Sequence, residues 1–205
     1  MRRHHLHFSI VAGLAMAASI AGCTPDRTDT TAPASMSAEP DAPAPPPAMS
    51  APAEIPAGQA VVTLKSAGDM KVSGDLTLTA ETGGVHVSGS ISGLTLGTQH
   101  GFHIHEIGDC SAADFKSAGG HFNPSNKEHG NPNSDIHHAG DMMNLTVNDS
   151  GIATLDVTVP GVTLGDGGSD DVMNRAIVIH SGPDDYTSQP AGDSGSRIAC
   201  GVIAK

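Results

Sequence analysis

Asp75-Leu-Thr-Leu-Thr-Ala-Glu-Thr-Gly-Gly-Val-His-Val-Ser-Gly-Ser-Ile91 decides the fold class. Leu76, Leu78 and Ala80 alternate with Asp75, Thr77 and Thr79; Val85, Val87 and Ile91 alternate with His86, Ser88 and Ser90. Successive side chains of a strand point to opposite faces, so each half has one apolar and one polar face. Gly83-Gly84 between them marks a turn, as Asp149-Ser-Gly151 does further on. The same period returns where Leu155, Val157 and Val159 alternate with Thr154, Asp156 and Thr158. Ala60 to Lys65, Asn144 to Val147 and Ile198 to Ile203 read as further strands, and the unbroken run Ala176-Ile-Val-Ile179 as a strand buried on both faces. No stretch of the domain carries a long helical period. Short strands with two long loops between them predict an all-β domain, an antiparallel Greek-key β-sandwich or barrel.

Upstream of these strands the chain changes character. Met1-Arg-Arg-His-His-Leu-His7 is basic, Phe8 to Ile20 is an apolar run, and Ile20-Ala-Gly-Cys23 follows. This is the layout of an export signal over residues 1–23, too short for an ordinary transmembrane span. The tetrapeptide resembles a bacterial lipobox, which would make Cys23 a lipidated first residue of the mature chain; a plain secretory signal with an incidental cysteine is the alternative. Residues 24–57 are rich in Ala, Pro, Ser and Thr and read as a tether. Residues 58–205 are the right length for one domain with a real core.

Charge and cysteine content narrow the function classes. The formal net charge is −12. Nucleic acid needs basic patches, so it is an unsuitable partner, and any attraction of a small anion has to be local. Apart from Cys23 there are two cysteines, Cys110 and Cys200. An even pair in an oxidising compartment suggests a disulfide closing a loop of about 90 residues, worth roughly 4–5 kcal/mol in the chain-entropy model. Two buried free thiols are the alternative.

The chain has 12 histidines, and most of those beyond the leader crowd into one region. On the strand around Phe102, Phe102 and Ile104 point to the core, so His103 and His105 project together from the other face. A pair at i and i+2 can chelate one ion without backbone distortion. His100 falls on the core face and reads as a buried, hydrogen-bonded support; His86 reads as a solvated side chain. His121, His129, His137, His138, Asp141 and His180 supply further donors. Neutral imidazoles suit copper and zinc, and a carboxylate added to histidines suits zinc.

These motifs resemble the copper/zinc superoxide dismutases. Gly101-Phe-His-Ile-His105, Gly108-Asp-Cys110, Gly119-Gly-His-Phe-Asn-Pro124, His138-Ala-Gly-Asp141 and Gly192-Asp-Ser-Gly-Ser-Arg-Ile-Ala-Cys-Gly-Val-Ile203 match in order. The resemblance implies Cu(2+) on His103, His105, His121 and His180, and Zn(2+) on His121, His129, His138 and Asp141, with His121 shared. It implies that superoxide anion is the substrate, disproportionated to dioxygen and hydrogen peroxide as copper cycles between two oxidation states. Arg197 corresponds to the arginine that holds the anion, and Asp184 to the carboxylate that links copper and zinc histidines. Cys110 and Cys200 correspond to the family's disulfide. An exported member would act in the bacterial periplasm or cell envelope, held to a membrane through Cys23; the resemblance is compatible with a homodimer.

Departures from the pattern raise further expectations. Asp184 to Gly192 lacks the acidic–lysine run that steers substrate in eukaryotic members, which leaves Lys116 and Lys127 as candidate replacements. His137 duplicates the ligand type beside His138, and the spacing to Asp141 favours His138. Two other classes stay open: an envelope copper/zinc-binding protein without turnover, and an inactive interaction module on a tether. Arg197 and His121 speak against storage, which needs neither, and a dead module would be expected to have lost a ligand.

Overall fold

A computed structural model of the chain describes residues 54–205. The leader with Cys23 and nearly all of the tether lie outside the described residues. Ten strands follow in order: β1 (Gln59–Thr63), β2 (Lys65–Ser66), β3 (Ser73–Glu81), β4 (Gly84–Ser92), β5 (Gln99–His100), β6 (Phe102–His105), β7 (Leu145–Thr146), β8 (Ile152–Pro160), β9 (Ala176–His180) and β10 (Arg197–Val202). Among the described residues the one helical element is a 3-10 turn, Lys116–Ala118.

Two four-stranded sheets form the body, ordered β1-β3-β4-β8 and β2-β10-β9-β6, with β5 and β7 as a small third pair. Every ladder between these strands is antiparallel. The chain leaves β4, crosses to β6 in the second sheet and returns as β8 beside β4, a Greek-key crossing between layers. The expected all-β sandwich is thus what the chain forms.

The alternation read from the sequence sets the register. Leu78 stands opposite Val87, and Leu76, Leu78, Val85, Val87 and Ile91 are all buried in one cluster with Phe102, Ile104, Ile177 and Ile179. At ~1.5–3 kcal/mol for each large apolar side chain removed from water, this cluster is the main favourable contribution to folding. Val157 departs from the pattern: it has inward parity on β8 but is 38% exposed, beside a groove between β8 and Met143. The expected strand at 60–65 is divided, and that at 144–147 is shorter than read. The first breaks at Leu64 into β1 and β2, and only Leu145–Thr146 of the second is paired, with β5.

The continuous run in β9 is explained by its two faces. Ile177 and Ile179 enter the main core, while Ala176 and Val178 join a second cluster with Cys110, Phe115, Ala118 and Cys200. That second face of the sheet would meet water in a bare sandwich. Here the long loop after β6 folds back over it, so His103 and His105 are 0% and 1% exposed although they point away from the main core. Gly140 makes the closest approach possible. Its N–H and C=O bond to Phe122 and Ile104, and a Cβ there would stand 2.3 Å from the Ile104 oxygen.

Candidate metal centre

β6, β9 and the covering loop bring two groups of donors together. His103, His105, His121 and His180 offer ligand atoms within 4.8 Å of one another, and so do His121, His129, His138 and Asp141; all are buried. His121 alone belongs to both.

Hydrogen bonds at one ring nitrogen leave the other free, and they sort the tautomers. His103 Nε2 donates to Asp184 Oδ2 at 2.8 Å, His105 Nδ1 to the Gly119 carbonyl at 3.0 Å, and His180 Nδ1 to the Gly195 carbonyl at 3.3 Å. His121 Nδ1 lies 2.7 Å from Asp141 Oδ1. The remaining nitrogens, His103 Nδ1, His105 Nε2, His121 Nε2 and His180 Nε2, are buried without a hydrogen-bond partner. Unsatisfied buried polar atoms cost ~1–3 kcal/mol each, and four from one cluster is a pattern that a metal ion relieves. Four imidazole donors fit copper.

The second group is arranged around Asp141. Its Oδ1 faces His121 and, at 3.3 Å, His138 Nδ1; its Oδ2 lies 3.0 Å from His129 Nδ1 and accepts the Gly130 and His138 N–H groups. The His129 contact is close but not aligned as a hydrogen bond, so His129 Nδ1 is also left without one. Three histidines and one carboxylate are a zinc donor set. Asp184 spans the groups: Oδ2 meets His103 and Oδ1 meets His129 at 3.0 Å. Such carboxylates fix the ring orientation of metal ligands.

Electrostatics follow this division. Burial and the neighbouring His121 push His105 down to about 2; burial with Asp141 in opposition takes His121 to about 4, and burial with His103 takes His180 to about 3. These rings are therefore neutral, as metal ligation requires. At His129 burial works the same way, but the close contacts and charges of Asp141 and Asp184 outweigh it and raise the ring to about 9. Burial opposes ionisation of Asp141 and Asp184, yet their histidine partners hold both well below the usual carboxylate range.

Beside the copper set a cleft of about 340 Å³ is lined by His105, Glu106, His121, His180, Pro190 and Arg197, among others. Arg197 Nη1 and Nη2 donate to the carbonyls of Phe115 and Gly119, both at 2.6 Å. Phe115 holds its carbonyl there from a left-handed backbone, φ 56°, which a non-glycine residue adopts only at a cost. A guanidinium has five N–H donors, so two carbonyls do not exhaust it. Arg197 is the one lysine or arginine among the cleft-lining residues. Lys116 instead pairs with Asp114 at 2.9 Å, and Lys127 Nζ donates to the Asp135 carbonyl at 3.0 Å; neither lines the cleft.

The other expected positions are placed as follows. His100 is buried, with Nδ1 2.8 Å from the His180 carbonyl and Nε2 2.8 Å from Thr98 Oγ1. His137 turns its Nδ1 to the His138 carbonyl and belongs to neither donor group. His86 is not simply solvated, since it pairs with Asp156 at 2.7 Å across β4 and β8. Cys110 and Cys200 form a disulfide with Cα atoms 5.8 Å apart, tying the covering loop to β10. The sequence gives no sign of Asn144, Tyr186 and Gln189, which hold the backbone around the site from 40 to 60 residues away.

An antiparallel sandwich carrying a four-histidine set and a three-histidine, one-aspartate set joined by a common ring defines a copper/zinc protein. The sequence profile of the copper/zinc superoxide dismutases matches residues 72–203. Cu-Zn superoxide dismutase 2 of Aquifex aeolicus is 46% identical over 136 residues, 65% of this chain and 80% of its own. Cu-Zn superoxide dismutase 3 of Arabidopsis thaliana is 39% identical over 157 residues, 73% of this chain and 93% of its own. A solved SOD-like protein from Bacillus subtilis, 38% identical, superposes with a TM-score of 0.65 over 70% of this chain and 97% of that chain. The chain belongs to the copper/zinc superoxide dismutase family.

Proposed function

We propose that this dismutase works in the bacterial cell envelope, held to a membrane by a lipid on Cys23, and removes superoxide there. When bound, copper would supply the one-electron chemistry by which one superoxide is oxidised to dioxygen and the next, taking up two protons from solvent, is reduced to hydrogen peroxide. The chain's own residues do the rest. Arg197 binds the anion through its free N–H donors at the wall that His105, His121 and His180 share. His121 faces both donor groups, Nε2 to one and Nδ1 to the other, so it would serve both ions, and Nε2 can hold a proton whenever no ion occupies it. Asp141 and Asp184 keep the rings oriented throughout.

The observation that carries the catalytic reading is Arg197 anchored by two carbonyls beside the copper set; a storage site has no use for it. The envelope reading is supported by the leader, the Ile20-Ala-Gly-Cys23 tetrapeptide and the Ala/Pro-rich tether. A second reading, a metal-binding protein without turnover, draws on the SOD-like description of the Bacillus subtilis neighbour. Stopped-flow superoxide decay on protein loaded with both metals separates the two. Intact mass of the mature N-terminus tests the anchor: a diacylated, N-acylated Cys23 is expected, since a single chain anchors weakly. Cleavage elsewhere without lipid would refute it.

A further inference from the structure

Asp184 touches both donor groups, so whatever fixes its loop bears on both. Asn144 Nδ2 donates to the Asp184 carbonyl at 2.8 Å, and Asn144 Oδ1 accepts from the Asp184 N–H at 2.8 Å. Tyr186 adds an oxygen that accepts the Asn144 N–H at 2.8 Å. Gln189, on the same loop as Asp184, treats His129 as Asn144 treats Asp184. Gln189 Nε2 donates to the His129 carbonyl at 2.9 Å, and Gln189 Oε1 accepts from the His129 N–H at 2.9 Å. A primary amide carries a donor and an acceptor side by side, so it can pair with one residue as a neighbouring strand would.

His129 needs such a partner. It lies in the stretch 126–131, which has no regular secondary structure, and no backbone hydrogen bond reaches it from elsewhere among the described residues. The Asp184–Gln189 loop therefore grips His129 twice, at the ring through Asp184 Oδ1 and at the backbone through Gln189. Directly after Gln189, Pro190 and Ala191 line the cleft with Arg197.

We propose that Gln189 is a positioning residue for the zinc set: its amide fixes the His129 backbone so that the ring faces Asp141, and ties the cleft wall at Pro190 and Ala191 to that set. The inference rests on zinc binding and not on turnover, so a protein that holds zinc without removing superoxide leaves it standing. Gln189→Leu deletes both hydrogen bonds at similar volume. Gln189→Glu keeps the acceptor, loses the donor and sets a carboxylate against the His129 carbonyl. The measurements are chelator-driven release of zinc and of copper from the doubly loaded protein, the visible spectrum of cobalt placed in the zinc set, and Tm. Supporting data would be zinc release roughly ten- to a hundred-fold faster in Gln189→Leu, at least several-fold faster in Gln189→Glu, a changed cobalt spectrum, and copper release within about two-fold of the parent. Wild-type zinc release in Gln189→Leu overturns the proposal. So does acceleration of zinc and copper alike in step with a fall in Tm, which would make the contact merely structural. Should Gln189→Leu not fold, the same comparison on Gln189→Glu decides.

Discussion

Zinc uptake should depend on pH through His129. Burial disfavours charge on this ring, but the Asp141 and Asp184 carboxylates outweigh it and raise the ring to about 9. In the metal-free protein at neutral pH the ring therefore carries a proton, which zinc must displace. His121, lowered to about 4 chiefly by burial, is already neutral and has no imidazolium proton to give up. Apparent zinc affinity should accordingly climb about tenfold per pH unit towards 9 and then level off. The stability of the metal-free protein runs the other way. A ring raised above its ordinary 6.5 contributes stability that is complete below that value and lost as pH rises through about 9. The zinc-induced increase in Tm should thus widen from about pH 6.5 to about 9 as the affinity climbs, while the zinc-loaded protein itself changes little over that range. Ring-nitrogen NMR on the metal-free protein measures His129 directly, and competition titrations at half-unit pH steps give the affinity. A His129 ring that titrates at or below pH 7, or a zinc affinity flat from pH 7 to 9, would refute the reasoning.

Arg197→Glu should lower superoxide decay steeply with both metals still bound, while Arg197→Lys retains part of the activity because charge survives and the planar fork does not; stopped-flow decay with metal analysis checks both. Leu78→Ala, at a fully buried site facing Val87, should cost about 2–5 kcal/mol in denaturant unfolding with the slope unchanged. His137→Ala should leave zinc stoichiometry near its starting value, since its ring is occupied with a backbone carbonyl; loss of zinc would mean that the ligand choice at His138 is mistaken. Reducing the Cys110–Cys200 disulfide should lower unfolding stability by roughly 4–5 kcal/mol before strain is subtracted, and unchanged stability after complete reduction would count against that figure.

The sheet faces were legible because alternation is local. Leu76, Leu78, Val85 and Val87 can be assigned to one face from neighbours a few residues away, and the donor histidines stand in short motifs. Burial of His103 and His105 was not legible, because it depends on a loop that returns over β6 through the Gly140 contact. Val157 shows the reverse case, where parity is right but the covering layer does not reach it. Gln189 and Asn144 are further still from local reading: an amide that clasps a backbone 40 or 60 residues away has no period and no fixed company. The surroundings of Lys116 and Lys127 were beyond local reading for the same reason, since a sequence does not show which opening a side chain borders; neither lines the cleft.

The common ring has a consequence for the order in which the molecule can be assembled. The zinc donors run from His121 to Asp141, 20 residues apart, whereas copper needs His103 and His180, separated by about 80. Closing the shorter loop costs less chain entropy by roughly 1 kcal/mol. In a chain emerging from its N-terminus, every zinc ligand is present before β9 has been made, and the copper set is still one histidine short. Zinc can thus be the earlier guest, organising the loop by way of His121 before its second face is claimed. Asp184 and Gln189 arrive last and latch what has already gathered.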